Sequence, residues 1–172
     1  MKKLFLLPLF FLLMISAHAQ KQSENIKRQA QAMSDAVFQK NYELMADYTY
    51  PWVVAQMGGK EKMISMISSA MEEMAAQGAT IQEVTLGEPS QVVKAGNELH
   101  CILPQKTVLK LPNGTVSNTS SLLCISKDNG TKWSFLDLAQ VDEVTLKTIF
   151  PDFNTALVIP AKQQPVFLPN GK

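Results

Sequence analysis

DYTYPWVVAQMGGKEKM, Asp47 to Met63, is where the chain changes direction, and its reading decides how the rest is assembled. It holds two of the three tyrosines, one of the two tryptophans, a proline and a double glycine. Pro51 restricts Tyr50 to extended backbone and ends the helical pattern before it. Trp52-Val53-Val54 reads as a short strand or a buried loop, and Gly58-Gly59 breaks the chain. Upstream, Ile26, Ala30, Met33 and Val37 recur at helical spacing and predict a helix over 22–38. Asn41 suits the N-cap of a second helix, 42–48, carrying Leu44 and Met45. Downstream, Lys60 to Gln77 is the clearest helix, closed by Gly78. Its face of Met63, Ile64, Met66, Ile67, Ala70, Met71 and Met74 is read first as core packing. The alternative is an adaptable binding surface, because methionine fills irregular space.

From Ile81 the apolar period changes to that of strands, predicted over 81–94, 98–111, 115–126 and 132–138. The turns between them are Ala95-Gly96-Asn97, Asn113-Gly114 and Asn129-Gly130, giving an antiparallel meander. Pro89 and Pro104 point to bulges or edge positions. If the Asn-Gly pairs are two-residue loops, Pro112 faces Thr115 and Asp128 faces Thr131, and alternation sorts the side chains onto two faces. One face carries Leu99, Cys101, Leu103, Gln105 and Thr107, then Ser120, Leu122 and Cys124, then Trp133, Phe135 and Asp137. It holds the aromatics and is expected to pack on the helices. The other face gathers Ile102, Leu123, Ile125 and Leu136, an apolar patch to be covered by the tail or by a partner subunit.

Two site expectations follow from this register. Cys101 and Cys124 share a face two residues from direct opposition, so they are a candidate disulfide or two small buried thiols. Gln105 and Asp137 both fall across from Leu122, with Thr107 across from Ser120, a polar cluster in an apolar face. A carboxylate among aromatics is raised in pKa and suits a general base, which makes Asp137 the candidate catalytic group, with Asp47 the other carboxylate that could serve as base. The plain alternative is that Asp137 caps the strand end.

The N-terminus reads as an export signal. Lys2 and Lys3 form a basic flank, Leu4 to Ile15 is apolar, and Ala17-His18-Ala19 fits a cleavage site that leaves Gln20 first. The apolar run is shorter than the roughly 20 residues a spanning helix needs. The expected organisation is a signal peptide over 1–19, an α+β domain over 20–140 and a C-terminal extension over 141–172. That extension would hold a helix from Val141 to Phe150, a strand over Ala156–Ile159 and a loose tail apart from Val166-Phe167-Leu168. Without Lys2 and Lys3 the sixteen basic residues become fourteen, against fifteen acidic ones, for a net charge of −1. Those charges are scattered, so no basic face for nucleic acid forms. Only His100 remains in the mature chain, which excludes multi-histidine metal sites, and no cofactor or stable membrane anchor is expected. Asn113, Asn118 and Asn129 match the glycosylation pattern, but Asn113-Gly114 and Asn129-Gly130 are read as turns.

Helix, joint and helix from Asn41 to Met63, then a meander ending at Trp133-Ser-Phe-Leu-Asp, resembles the NTF2-like superfamily, including its SnoaL-like and ketosteroid-isomerase-like members, over about Gln22 to Leu138. The resemblance is one of layout. It implies a cone of curved sheet around helices with a pocket at the open end. It leaves function open, because that group contains isomerases, dehydratases and non-catalytic binding proteins. No tyrosine or carboxylate here, among Tyr42, Tyr48, Tyr50, Asp47 and Asp137, maps onto the isomerase motif. The sequence therefore reads as a periplasmic or secreted, non-catalytic binding module for a small molecule or a protein partner. Its pocket would be lined by Tyr50, Trp52, Gln105, Trp133, Phe135 and Asp137. The alternatives are an isomerase- or dehydratase-like enzyme using a pocket Asp and Tyr, and a structural domain that dimerises through the outer sheet face.

Overall fold

The computed structural model describes residues 7–139 and 141–170, with side chains from Gln20 onward. The fold is α+β: helices precede a curved, antiparallel, six-stranded sheet. Helix α1 runs from Leu7 to Phe38, starting well before the expected 22. The backbone through Ala17–Ala19 is helical, while Lys2, Lys3 and the side chains of the expected cleavage site lie outside the described residues. No described helix is long and apolar enough to cross a membrane. Helix α2 spans Tyr42–Tyr48, and the Asn41 side chain accepts from Leu44 N–H as its cap.

The joint itself corrects the sequence reading. Trp52-Val53-Val54 is neither strand nor loop but the body of α3, Pro51–Gln56. Pro51 ends α2 and also opens α3, where its missing N–H costs nothing in the first turn. Gly58 and Gly59 then take φ of +87° and +97°, conformations that favour glycine, and α4 follows over Lys60–Ala76. Lys60 Nζ ties the joint back to α2 through Glu43 at 3.1 Å and Asp47 at 2.5 Å. The expected methionine core stripe of α4 is only partly buried. Met63 packs with Ala36, Met45 and Ala46, but Met66 is half exposed because α4 leans on α2 and α3 and not on the sheet.

The predicted strand 81–94 is two strands, β1 over Thr80–Leu86 and β2 over Val93–Ala95, both paired to β3, Glu98–Leu111. The chain between them carries Pro89, and the carbonyl of Pro104 accepts from Gly87 N–H there, so each proline avoids a ladder donor position. Strand β4, Gly114–Ser126, pairs along the whole of β3. The turn is Pro112-Asn113, with Leu111 opposite Gly114, because Pro112 presets the first central turn position. The register differs from the expected one by two, an even shift that keeps every side chain on its predicted face. Strand β5, Ser134–Asp137, has the predicted register, with Cys124 opposite Phe135 and Leu122 opposite Asp137. Its connection is a longer loop, Lys127–Trp133, held by the Asp128 carboxylate, which accepts from Thr131 and Lys132 N–H.

The sheet is packed on both faces. Ile26 and Ala30 of α1 bury Cys101, Leu103, Leu122, Cys124, Trp133 and Phe135 on one side. Gln29 seals this seam: its side chain accepts from Trp133 N–H at 3.0 Å and donates to Thr131 C=O. On the other side the predicted cluster of Ile102, Leu123, Ile125 and Leu136 exists, and the chain's own extension covers it with Leu146, Phe150 and Leu157. That apolar patch is thus covered from within the chain. The extension contains α5, Glu143–Ile149, capped by Asp142, and β6, Val166–Pro169. Ala156–Ile159 is not a strand, whereas Val166-Phe167-Leu168, set apart from the loose remainder of the tail, falls in β6.

Candidate functional site

Strands β5 and β6 occupy the same side of β4. Strand β5 pairs with Leu122–Ile125 and β6 with Gly114–Ser117, both antiparallel. They are two halves of one strand lane, and the chain leaves that lane after Leu138 and returns at Val166. Leu138 N–H still bonds the Ser121 carbonyl at 2.9 Å, and a turn from Leu138 to Val141 then carries the chain outward. Asp142 starts α5 by accepting from Thr145 N–H at 2.7 Å, which holds its carboxyl below the ordinary value, aided by the Thr145 hydroxyl. Beyond α5 the chain passes Phe153 and Leu157 and doubles back to β6.

This excursion arches over the gap in the lane and borders a half-open cavity of about 630 Å³. That volume lies within the range of small-molecule sites. Its floor is Asn118, Thr119, Ser120 and Ser121 of β4, and its walls are Leu138, Val141, Leu146, Phe153, Leu157 and Ile159. Four charged residues line it as well, Asp142, Glu143, Lys147 and Lys162, two of each sign. Lys147 Nζ is paired to Glu143 at 2.8 Å, and that contact holds the Glu143 carboxyl low. The result is a mainly apolar chamber with a row of neutral polar groups along one side. A second, more open cleft of about 430 Å³ lies between Lys27, Arg28 and Gln31 of α1 and the end of β1.

None of the six residues predicted to bind ligand lines this cavity. Trp133 and Phe135 are buried in the core under α1. Trp52 lies partly exposed on α3. Tyr50 N–H bonds the Phe135 carbonyl, and its ring packs on Phe150 with centroids 5.1 Å apart. Its phenol pKa is raised by burial and then by Glu98, against the opposing Lys127, whose Nζ lies 5.5 Å from the ring. Gln105 and Asp137 do come together: Gln105 Nε2 donates to Asp137 Oδ2 and to Ser120 Oγ, each at 2.9 Å. The two-residue register shift sets Gln105 opposite Ser120 and Thr107 opposite Asn118. Asp137 is exposed at the end of β5 and its Oδ1 accepts from Ala139 N–H at 2.8 Å. The aromatic enclosure expected around it is missing: Trp133 and Phe135 share its face but are buried under α1, and Asp137 lies beyond that cover at the exposed strand end. What the Gln105–Asp137 bridge does is fix Ser120 and the exit from β5, both at the cavity's edge.

Cys101 and Cys124 are directly opposed, fully buried and free thiols. Burial, then the neighbouring Cys101 thiol, pushes Cys124 well up in pKa. His100, on the outer face as expected, is 1 % exposed under the extension, with its ring edge-on to Phe150 at 5.0 Å. Its Nε2 is 2.9 Å from Glu98, and its buried Nδ1 has no partner among the described residues. No group of three or more His, Cys, Asp or Glu among the described residues could hold a metal ion.

No family model, curated protein or solved structure matches this chain. Among the cavity residues that the sequence did not single out as a site are Thr119, Leu138, Leu146, Phe153 and Leu157. A signal for part of this set exists, since Leu146, Ile149, Phe150 and Phe153 stand at helical core spacing.

Proposed function

We propose that this chain is an exported, non-catalytic binding module of NTF2-like layout, and that its ligand site is the chamber between β4 and the C-terminal extension. The observation that carries the reading is the 630 Å³ cavity with apolar walls and one polar side. Apolar walls supply affinity through surface removed from water, and a few fixed polar groups supply orientation. Export rests on the Lys2–Ala19 pattern, and mass spectrometry of protein recovered from the producing cell should find Gln20 first. The exposed, doubly hydrogen-bonded Asp137 favours binding over base catalysis, because a general base needs a free lone pair within reach of substrate.

The test is a screen of neutral apolar fragments by amide chemical-shift mapping. Binding should move Thr119, Ser121, Leu146, Phe153 and Leu157 together and raise the melting temperature with fragment concentration. Shifts confined to α4 or to the Lys27–Glu83 cleft would overturn the assignment.

A further inference from the structure

In an antiparallel ladder a residue's N–H and C=O point to the same side, and successive residues alternate. The Ser121 carbonyl faces the β5 lane, where it accepts from Leu138 N–H. The Asn113 carbonyl faces the β6 lane, where it accepts from Asn170 N–H. Alternation from both ends therefore turns Thr119 toward the same lane, while Asn118 and Ser120 turn toward β3. Positions opposite Asn118, Thr119 and Ser120 are where β5 has ended and β6 has not begun. Thr119 thus presents a main-chain donor and acceptor to the chamber, and neither has a hydrogen-bond partner among the described residues. Thr119 is exposed in the gap, and an open strand-edge donor and acceptor is a template for another extended chain, so this pair of atoms is a place for a ligand to bond.

We propose that the chamber takes a short extended peptide, about three residues, that runs antiparallel to β4 and completes the interrupted lane. Its central residue would exchange two hydrogen bonds with Thr119, N–H to C=O in each direction. The charged groups around the cavity are balanced in sign, and Lys147 is already paired with Glu143, so a neutral amide chain fits better than a charged head group. The peptide's side chain facing the extension would meet Leu146, Phe153 and Leu157. Main-chain pairing gives such edge sites their affinity, and the pockets flanking them give selectivity.

This inference rests on the chamber being the ligand site, and the experiment separates the two. A panel of acetylated, amidated tripeptides with apolar side chains is titrated into the full chain while amide exchange is followed. The same peptides N-methylated at the central residue keep the apolar surface but lose the donor. The expected result is slowed exchange at Thr119 with the parent peptides and binding about tenfold weaker, or more, after N-methylation. Equal binding of parent and N-methylated peptides, or a panel that fails while neutral apolar fragments still bind in the chamber, overturns the lane proposal and leaves the chamber as a site. Failure of fragments and peptides alike removes both. Slow exchange at Thr119 in the free protein, matching that of Leu123 in the β4–β5 ladder, would mean that the chain fills its own lane and would also overturn the proposal.

Discussion

Replacing Phe150 with alanine tests whether the extension is a wall of the domain. Phe150 is 5 % exposed and packs on Tyr50 at 5.1 Å and on His100 at 5.0 Å. Removing a buried phenylalanine costs about 3–5 kcal/mol, transfer and cavity terms together. One effect offsets this. The cavity admits water to His100 Nδ1, which is buried without a partner, and solvating such a group recovers on the order of 1 kcal/mol. The net expectation is a loss of about 2–4 kcal/mol, or a fall in melting temperature of roughly 4–16 °C for a chain of this size. Urea unfolding gives the first number, and hydrogen exchange shows where the loss falls. Amides of α5 and β6 should lose protection first, with the β3–β4 hairpin least affected. A loss below about 1 kcal/mol, or uniform deprotection with no bias toward α5 and β6, would falsify the view that Phe150 fastens the extension to the sheet.

Three further outcomes are expected. Gly114→Ala adds a methyl 2.7 Å from Phe167 Cε2, so β6 should detach, with Val166 and Leu168 amides exchanging freely while the hairpin keeps its protection. Thiol titration should count two in denatured, unreduced protein and none in the native state, because Cys101 and Cys124 are free and fully buried; a count of none after denaturation would show a bonded pair. The Asp142 carboxyl sits below its usual value of 3.8, so its contribution to stability is present above about pH 4 and is lost as pH falls through the lowered folded value. Following α5 amides from pH 6 to pH 2 should show that helix loosening within this window, and Asp142→Asn should blunt the response.

How far the sequence could be read depended on where the deciding interactions lie. The sheet faces were legible because side-chain alternation survives a register shift of two, which is why Gln105 and Asp137 were placed together although Gln105 faces Ser120 and not Leu122. Pro51 was misread because one proline can end one helix and begin the next, and only the tertiary course of the chain separates those roles. The chamber was not legible. It arises because β5 and β6, with twenty-eight residues between Asp137 and Val166, lie in one lane. No local pattern marks two short strands as halves of one. The place of Val166, Phe167 and Leu168 in the sheet was not legible for the same reason: all three are exposed, and backbone pairing with β4, not burial, holds them.

The divided lane also sets an order of assembly. The β3–β4 hairpin closes through a two-residue turn and β5 joins across one short loop, whereas β6 must return over about fifty residues to reach Gly114–Ser117. Entropy of loop closure rises with that span, and contacts distant in sequence form late. Val166–Pro169 is therefore the last strand to dock, onto a core that has already closed. The chamber is completed by the final event of folding, and it is the first feature to open when the chain begins to unfold.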